Sequence, residues 1–291
     1  MRIAAVQFNI NHKDRLSNWD RIAQFVNEAA EKKVDLLVFP EYLIGGPGED
    51  AVLDKSASEK FCELARQAQI DIVTGTIIER DSKDGHLYNC AYYVDKDGQI
   101  LMEYRKVHLW HPERDYLHAS DRGFHTATNR FGLKVGMCIC WDIAFPEAFR
   151  HMVLEHDAQL IIAPAYWTYE DAGEIGMRHN PESEAKFIDY ICAARAMENE
   201  ICMVFCNGAA DDVDRPFGTM AGGTQITVPF KGPVAHTKSN KEEMIVTDVD
   251  VAQLVADAET CYKVRQDWRA GKVFGGMRSY EVETLVPGQK Q

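Results

Sequence analysis

The chain has 291 residues, 46% of them apolar and 26% charged, which is typical of a globular protein of one large domain or two ordinary ones. Its net charge of −13 argues against general nucleic-acid binding and against adsorption to an anionic membrane surface. The eight cysteines lie mostly inside apolar runs, and neither a signal-peptide pattern nor a long apolar stretch is present. These features predict a cytoplasmic protein with reduced, buried thiols.

The first third of the chain alternates predicted strands and helices. Apolar runs and helical spacing predict a strand over 3–8, a helix over 16–30, a strand over 34–39, a helix over 57–69 and a strand over 70–78. A hairpin over 87–95 and 99–105 then turns at Asp97-Gly98.

The second part begins with residues 108–128, which show little periodicity and predict an ordered, functional loop. After it we predict strands over 132–140, 159–163, 201–206, 223–229, 233–237 and 244–250, helices over 145–156 and 181–199, and an extended tail over 262–291. This alternation indicates one α/β domain built in layers, and periodicity does not decide between one sheet and two.

A short internal echo links the two parts of the chain. The strand-helix-strand pattern over 3–42 ends in Val38-Phe-Pro-Glu-Tyr42, and that over 133–166 ends in Ile162-Ala-Pro-Ala-Tyr166. The echo suggests two related halves, although a match this short also arises by chance.

Cys140 is the candidate nucleophile, because it ends an apolar strand and is followed at once by Trp141 and Asp142. Cys138, two residues earlier, is interpreted as a packing thiol. A cysteine nucleophile needs a base and a donor that stabilises the tetrahedral oxyanion. Hydrolases of the elbow type place glycine around the nucleophile, and the flanking Ile139 and Trp141 therefore disfavour that class.

Two other predicted strand ends carry suitable partners for a thiol. Glu41 follows Phe39-Pro40 and can act as a base, and Lys106 follows the hairpin and can hold an oxyanion. A papain-like base is an alternative, since the 108–128 loop contains four histidines, His108, His111, His118 and His125. The spacing of these histidines matches no standard zinc pattern, so no metal is predicted.

The motifs together resemble the nitrilase superfamily of carbon–nitrogen hydrolases, in order and in spacing. They are Phe39-Pro-Glu41, Tyr104-Arg-Lys-Val-His-Leu109, Glu113 followed by Gly123-Phe124, Cys140-Trp-Asp-x-x-Phe-Pro-Glu147, Arg195-Ala-Met-Glu-Asn199 and Gly222-Gly-Thr-Gln225.

The resemblance implies roles for five residues. Cys140 matches the nucleophile, Glu41 the general base and Lys106 the residue that stabilises the oxyanion, helped by the N–H of Trp141. Glu113 matches a second glutamate that positions Lys106 and the substrate nitrogen. Tyr42, Tyr166 and Trp167 are the further candidates for contact with the substrate.

The resemblance also implies a four-layer α-β-β-α sandwich over residues 1–261 that uses neither metal nor cofactor. Members usually form homodimers or larger homo-oligomers, so the tail over 262–291 is expected at an interface between subunits. The expected partner of the site is a small amide or carbamoyl compound, with no nucleic acid and no membrane.

The substrate is inferred from the positions after Cys140. Nitrilases resemble this chain but carry Glu where it has Asp142, which favours a small amide or N-carbamoyl substrate with release of ammonia. Enzymes of N-carbamoyl-D-amino acids carry two arginines where this chain has Ile143 and Ala144, which argues against a carboxylate held there. The run through Phe145-Pro-Glu-Ala148 resembles carbamoylputrescine amidases.

The segment over 166–171 and Glu174 offer aromatic and acidic groups to a neutral or cationic amide, whereas Arg178 and His179 argue against a purely acidic pocket. Two alternatives stay open: a nitrilase acting on a small nitrile, and a non-catalytic binding relative.

Overall fold

The computed structural model describes residues 1–53, 56–210 and 218–272, which form two facing β-sheets covered by helices. The first part of the chain contains β1 (Arg2–Gln7), α1 (Arg15–Glu31), β2 (Leu36–Val38), β3 (Val52–Leu53), α2 (Ser56–Ala68), β4 (Asp71–Arg80), β5 (Leu87–Val94) and β6 (Ile100–Arg105). The second part contains β7 (Thr126–Thr128), β8 (Lys134–Met137), α3 (Pro146–Arg150), β9 (Leu160–Pro164), α4 (Gly173–His179), α5 (Ser183–Glu198), β10 (Cys202–Cys206), β11 (Gln225–Val228), β12 (Gly232–His236), β13 (Glu243–Asp248), α6 (Val251–Tyr262) and α7 (Val264–Arg269).

Each sheet is built around three parallel strands joined through helices. The first sheet has the order β13-β1-β2-β4-β5-β6, with β3 paired to β4, and the second has the order β12-β11-β10-β9-β8-β7. Strands β1, β2 and β4 are parallel, as are β8, β9 and β10. The short β3 also pairs parallel to β4, and the remaining strands are antiparallel to their neighbours. Parallel strands require helical crossovers, which places α1, α2, α3 and α5 on the sheet faces.

The alternation of side chains along β1 shows the layers. Ala4 and Val6 pack in one core with Ile22 and Val26 of α1, on the outer face of the first sheet. Ile3 and Ala5 point the other way, into a second core shared with strands of the other sheet and with α5. The predicted four-layer α-β-β-α sandwich is therefore confirmed, with two sheets rather than one.

The two echoed segments meet in space. The Glu41 N–H donates to the carbonyl of Ala165 at 3.2 Å, and the rings of Tyr42 and Tyr166 lie edge to face at 5.8 Å. The ends of β2 and β9 thus face one another across the two sheets, and both deliver side chains to the same place.

Several boundaries differ from the sequence-based expectation. The strand predicted over 132–140 ends at Met137, and the predicted helix over 145–156 is α3 continued by a wider turn over 151–155. The helices α4 and α6 were not predicted. In the described part of the chain, none of the helices has the length and apolar character needed to cross a membrane.

The prediction of an extended tail from residue 262 is wrong for residues 264–269, which form α7. Arg265 is buried and donates to the carbonyl of Ala158 at 2.7 Å, and the N–H of Val264 donates to Glu200 at 3.0 Å. Trp268 packs against the core between and behind the sheets. Periodicity missed this helix because six residues are too few to show a helical pattern. The rest of the predicted tail, 273–291, lies outside the described residues.

Candidate active site

The eight residues that the sequence singled out all line one cavity of about 240 Å³ at the carboxyl ends of the strands: Glu41, Tyr42, Lys106, Glu113, Cys140, Trp141, Tyr166 and Trp167. Parallel strands end at the same sheet edge, so residues distant in sequence converge there. A cavity of this volume suits a small molecule.

Cys140 stands on a sharp bend. It follows Ile139 at the end of the β8 segment, opens a 3₁₀ turn over Cys140–Ala144, and has a φ of +47°, which is uncommon for a residue with a side chain. The sequence argued against hydrolases of the elbow type, yet the chain presents its thiol on a comparably sharp strand-to-turn bend without flanking glycines. The bend places Cys140 and Trp141 on the lining of the cavity.

Asp142 anchors this turn to the loop that follows Lys106. It is fully buried and accepts hydrogen bonds from the N–H of Ile139 at 2.9 Å, the hydroxyl of Tyr104 at 2.7 Å and the N–H of His108 at 2.8 Å. The Nδ1 atom of His108 also lies 2.8 Å from Asp142. The candidate nucleophile and the candidate oxyanion residue are therefore held in register by one carboxylate.

The histidine base considered from the sequence is not supported by these positions. His108 is engaged with Asp142, His118 stacks on His86, and His125 contacts the carbonyl of Glu103. Among the described residues that line the cavity there is no histidine. The four histidines also do not converge as ligands: within 1–53, 56–210 and 218–272 the structure assembles no group of three or more His, Cys, Asp or Glu able to hold a metal ion.

Lys106 is a buried cation clamped between two carboxylates. Its Nζ donates to Glu41 at 2.8 Å and to Glu113 at 2.7 Å, and its side chain is 1% exposed. Burial by itself would lower the pKa of Lys106, but Glu113 and Glu41 outweigh that effect and hold the pKa well above its ordinary value. The ammonium is therefore charged at every physiological pH.

Glu41 is held by three hydrogen bonds and faces the thiol. Oε1 accepts from Lys106 at 2.8 Å and from Asn89 Nδ2 at 2.7 Å, and Oε2 accepts from the N–H of Tyr166 at 2.8 Å. Burial raises the pKa of Glu41 to about 7, against the opposing effects of Lys106 and of the nearby Cys140 thiol. A carboxylate with this pKa is a suitable base near neutral pH.

The thiol of Cys140 is neutral in the resting site. Burial, followed by the charge of Glu41, holds its pKa well above the ordinary value despite the nearby Lys106, and its Sγ lies 3.8 Å from the carbonyl oxygen of Tyr166. A preformed thiolate, as in cysteine enzymes with depressed pKa values, is not what this environment favours. The thiol needs a base at the moment of attack.

Glu113 holds the far side of Lys106. It lies on the 3₁₀ turn His111–Asp115 and accepts from the hydroxyl of Tyr42 and, at 2.7 Å, from the N–H of Trp110. Because both of its oxygens are engaged, its position relative to Lys106 is fixed.

The lining of the cavity also includes Asp171 and Trp110, which were not among the eight candidate residues. Asp171 accepts from the N–H of Thr168 at 2.8 Å and from its hydroxyl at 2.9 Å, and burial raises the pKa of Asp171 to about 6. Trp110 also lines the cavity, whereas Glu174, Arg178 and His179 lie on the exposed α4 and are absent from its described lining. The signal for Asp171 was its place in the aromatic and acidic 166–171 segment; Asn89 gave a signal only as a polar residue inside a buried strand.

Comparison with known proteins identifies the family. The Carbon-nitrogen hydrolase family model matches residues 2–259. An (R)-stereoselective amidase of Pseudomonas sp. is 31% identical over 266 residues, which are 88% of this chain and 87% of the relative. The 2-oxoglutaramate amidase of Bacillus subtilis (strain 168) is 28% identical over 257 residues, which are 86% of this chain and 91% of the relative.

Solved structures agree in fold. Saccharomyces cerevisiae Nit3, a member of branch 10 of the nitrilase superfamily, superposes with a TM-score of 0.77 at 23% identity and covers 92% of this chain and 96% of its own. The amidase of Nesterenkonia sp. AN1 superposes with a TM-score of 0.74 at 22% identity, covering 92% of this chain and 99% of its own. The chain therefore belongs to the carbon–nitrogen hydrolase family and is a hydrolase of non-peptide C–N bonds.

Proposed function

We propose that this protein is a thiol amidohydrolase that cleaves a small neutral or cationic amide or N-carbamoyl compound through a Cys140 thioester, with release of ammonia. One observation carries the proposal: the thiol of Cys140, the carboxylate of Glu41 and the ammonium of Lys106 are all buried at the floor of one small cavity, where Lys106 donates to Glu41 at 2.8 Å. The proposed reaction uses side chains and backbone groups of this chain together with water.

In the first half-reaction, Glu41 takes the proton of Cys140 as sulfur attacks the carbonyl carbon. The carbonyl oxygen gains negative charge, which the Lys106 ammonium and the backbone N–H of Trp141 stabilise. The C–N bond then breaks, the proton on Glu41 passes to the nitrogen, and ammonia leaves. Glu113 keeps Lys106 in place through its 2.7 Å ion pair and orients the leaving nitrogen.

In the second half-reaction, Glu41 is again a carboxylate and takes a proton from water, whose oxygen attacks the thioester carbon. The tetrahedral intermediate uses the same two donors as before. The C–S bond breaks, the proton on Glu41 returns to sulfur, and the acid product leaves. A base whose pKa lies near the working pH serves in both directions, which the environment of Glu41 supports.

The charges of the cavity support the substrate class. Lys106 is the one basic side chain in the described lining, and Glu41 and Glu113 already neutralise it, while Asp171 adds a further carboxylate. The rings of Trp110, Trp141, Trp167, Tyr116 and Tyr166 supply apolar walls and faces that attract cations. An anionic end group finds no free positive partner on these walls, which fits Ile143 and Ala144 where carboxylate-binding relatives carry arginine.

A nitrile substrate remains the second candidate, because thiol attack on a nitrile carbon needs the same floor of the cavity. Asp142 supports the amide. Its four donors fill both carboxylate oxygens within a fully buried space, and the longer Glu found in nitrilases would have to displace the turn that carries Cys140.

The proposal is tested by ammonia release from a panel of aliphatic amides, N-carbamoyl amino acids, N-carbamoylputrescine and small nitriles, with Cys140→Ala as the control. We expect release from neutral or cationic amides or carbamoyl compounds, and none from the control. Release confined to nitriles would replace the amidase assignment by a nitrilase one. Absence of release together with unselective labelling of the eight cysteines by a thiol reagent would favour a non-catalytic relative.

Asp171→Asn separates recognition from chemistry. The variant keeps the volume of the side chain and removes its charge, so we expect KM for a cationic amide to rise and KM for a neutral amide of equal length to stay. Equal effects on both substrates would contradict a role of Asp171 in charge recognition. Glu174→Gln, on the exposed α4, is the matched control outside the described lining.

A further inference from the structure

Asn89 connects the candidate base and the candidate oxyanion residue. It lies inside β5, is fully buried, and its Nδ2 donates to Glu41 Oε1 at 2.7 Å. Its main-chain carbonyl accepts the N–H of Lys106 at 2.9 Å. Asn89 is absent from the described lining of the cavity, so it touches the two groups from behind.

The hydrogen bonds around Glu41 show what the amide of Asn89 does. Lys106 and Asn89 both donate to Oε1, and the N–H of Tyr166 donates to Oε2. Three donors, one inside β5 and two that follow β6 and β9, fix the rotation of the carboxylate beside Cys140. Asn89 is the neutral member of this set, and it contributes a donor without adding a charge.

The other half of the amide has no such use. Within the described part of the chain, Oδ1 of Asn89 is buried without a hydrogen-bond partner. Turning the amide over would place this oxygen against the Glu41 carboxylate, so the observed orientation is the one that Glu41 selects. A buried carbonyl oxygen without a partner costs stability, which indicates that the amide is not there to stabilise the fold.

We propose that Asn89 is a positioning residue, which orients Glu41 toward Cys140 and favours the unprotonated state of that carboxylate. The inference rests on the proposed function of Glu41 as the base. Other ionisable groups also face Glu41 and set its protonation together with Asn89: Lys106 after β6, Glu113 on its 3₁₀ turn, Cys140 after β8, Tyr42 next in sequence and Tyr166 after β9.

The sign of the effect follows from the donor. A hydrogen bond to the charged carboxylate favours ionisation, so its loss makes Glu41 easier to protonate and moves the acidic limb of kcat/KM to higher pH. Because Asn89 does not line the cavity, substrate binding is spared and the loss falls on kcat.

The test uses Asn89→Leu, which has nearly the same shape but neither donor nor acceptor, in the full-length chain. We expect kcat to fall roughly 10- to 100-fold, as for other partners that orient an active group, with KM within about threefold and an acidic limb shifted upward. We expect the melting temperature to stay or to rise, because the unpartnered Oδ1 is removed as well.

Two further variants make the result decisive. Asn89→Asp, nearly isosteric, places a second carboxyl group beside Glu41 and is expected to move the acidic limb further upward; it decides the question if Asn89→Leu does not fold. Asn199→Leu is the matched control. Asn199, at the end of α5, is also buried, and in the described structure its Oδ1 has no hydrogen-bond partner. Its Nδ2 donates to the main-chain carbonyl of Arg195 and not to a residue of the cavity.

The outcomes separate the inference from the function on which it rests. An unshifted limb and a kcat within threefold of wild type in both Asn89 variants, with Glu41→Gln inactive, would overturn the role of Asn89 and leave the base assigned. An unshifted limb with a lowered melting temperature would make Asn89 a structural residue. Near-normal turnover in Glu41→Gln would overturn the base itself, and the positioning role with it.

Discussion

Four ionisable groups at the floor of the cavity share one charge balance. Glu41 and Glu113 bring two negative charges and Lys106 one positive charge, all almost without exposure to water. Two carboxylates and one ammonium would leave one buried negative charge without a partner. Burial raises the pKa of Glu41 to about 7, which reduces this charge, so the site needs no second buried cation. The residues are thus tuned by mutual distance and desolvation rather than by any one partner.

The first prediction concerns the removal of individual groups. We expect Cys140→Ala and Cys140→Ser to abolish turnover with the fold intact, and Glu41→Gln and Lys106→Ala to lower kcat/KM by roughly 10²–10⁴-fold, as loss of a base or an oxyanion donor does. Steady-state kinetics with circular dichroism provide the measurement.

Cys138→Ala is the matched control for the nucleophile, since Cys138 is a buried thiol two residues away that belongs to the core. It should keep most of the activity. Near-normal turnover in Cys140→Ala, or a loss of tenfold or less in both Glu41→Gln and Lys106→Ala, would contradict the assigned roles.

The second prediction concerns pH. Glu41 must be unprotonated to accept the thiol proton, and its pKa is about 7 rather than the usual value near 4.5. We therefore expect kcat/KM to fall as pH decreases through about 7, with a limb set by one proton. A profile that stays flat down to pH 5 in wild type would show that Glu41 is ionised far more readily than its burial indicates.

Four β-strands build the site because they end close to one another. Glu41 follows β2, Lys106 follows β6, Cys140 follows β8 and Tyr166 follows β9, so four strand ends carry the site. Gly75, inside β4, allows the segment with Glu41 to approach: its φ is +68°, and a Cβ atom there would lie 2.0 Å from the carbonyl oxygen of Pro40. This close backbone contact, together with the hydrogen bond from the N–H of Tyr42 to Thr76, holds the segment that carries the base against β4.

The third prediction follows from this contact. Gly75→Ala must displace the Pro40 backbone, so we expect it to lower the free energy of unfolding by about 1–3 kcal/mol for overpacking and to reduce kcat through movement of Glu41. Denaturant unfolding and steady-state kinetics provide the two readouts.

Gly85→Ala is the control for the backbone strain alone. Gly85 has a similar φ of +76°, but a Cβ atom there meets nothing within 4 Å. The Gly85→Ala variant should have a free energy of unfolding lower by about 1 kcal/mol and an unchanged kcat. Equal losses of activity in both variants, or in neither, would show that the contact with Pro40 does not set the base.

At the scale of the whole molecule, the last two described helices complete the second core. Arg265 and Glu200 are both buried, with 4.0 Å between Arg265 Nε and Glu200 Oε2, and Trp268 covers apolar side chains of that core. Residues 264–269 therefore belong to the same body as the site, beyond the boundary at 261 that the sequence suggested for an extended segment.

The fourth prediction uses two truncations. A chain ending at Tyr262 loses Arg265 and Trp268 and leaves Glu200 buried without its cation, so we expect a clear drop in melting temperature. A chain ending at Lys272 keeps both, and should retain its melting temperature and its ammonia release at high protein concentration.

The same pair tests the proposed role of the tail in assembly. If residues 273–291 bridge subunits, the chain ending at Lys272 should run as a smaller species than the full chain in multi-angle light scattering. An unchanged mass would contradict that role, and an unchanged melting temperature in the shorter truncation would contradict the structural role of α7.

The amino-acid sequence by itself determined the alternation of strands and helices and the layered α/β class, and it named Glu41, Lys106, Glu113 and Cys140 as the candidate catalytic residues, because apolar periodicity and short motifs are local properties. It missed α4 and α7, whose few turns give too little periodicity, and it also missed α6. It described the 132–140 strand as continuous through the bend at Cys140. The alternative of a histidine base stayed open for the same reason, since composition places histidines near the site without saying where they point.

Only the tertiary structure decided how those residues act together. The charge clamp on Lys106, the raised pKa of Glu41, the anchoring of the Cys140 turn by Asp142 and the approach of Asn89 each include contacts between residues far apart in sequence, up to 125 positions for Glu41 and Tyr166. The long-range contacts among these arise from the pairing of strands and the packing of two sheets, and desolvation exists only once the layers have closed. The sequence therefore identifies the candidate catalytic residues, and the fold sets their protonation states and their orientation.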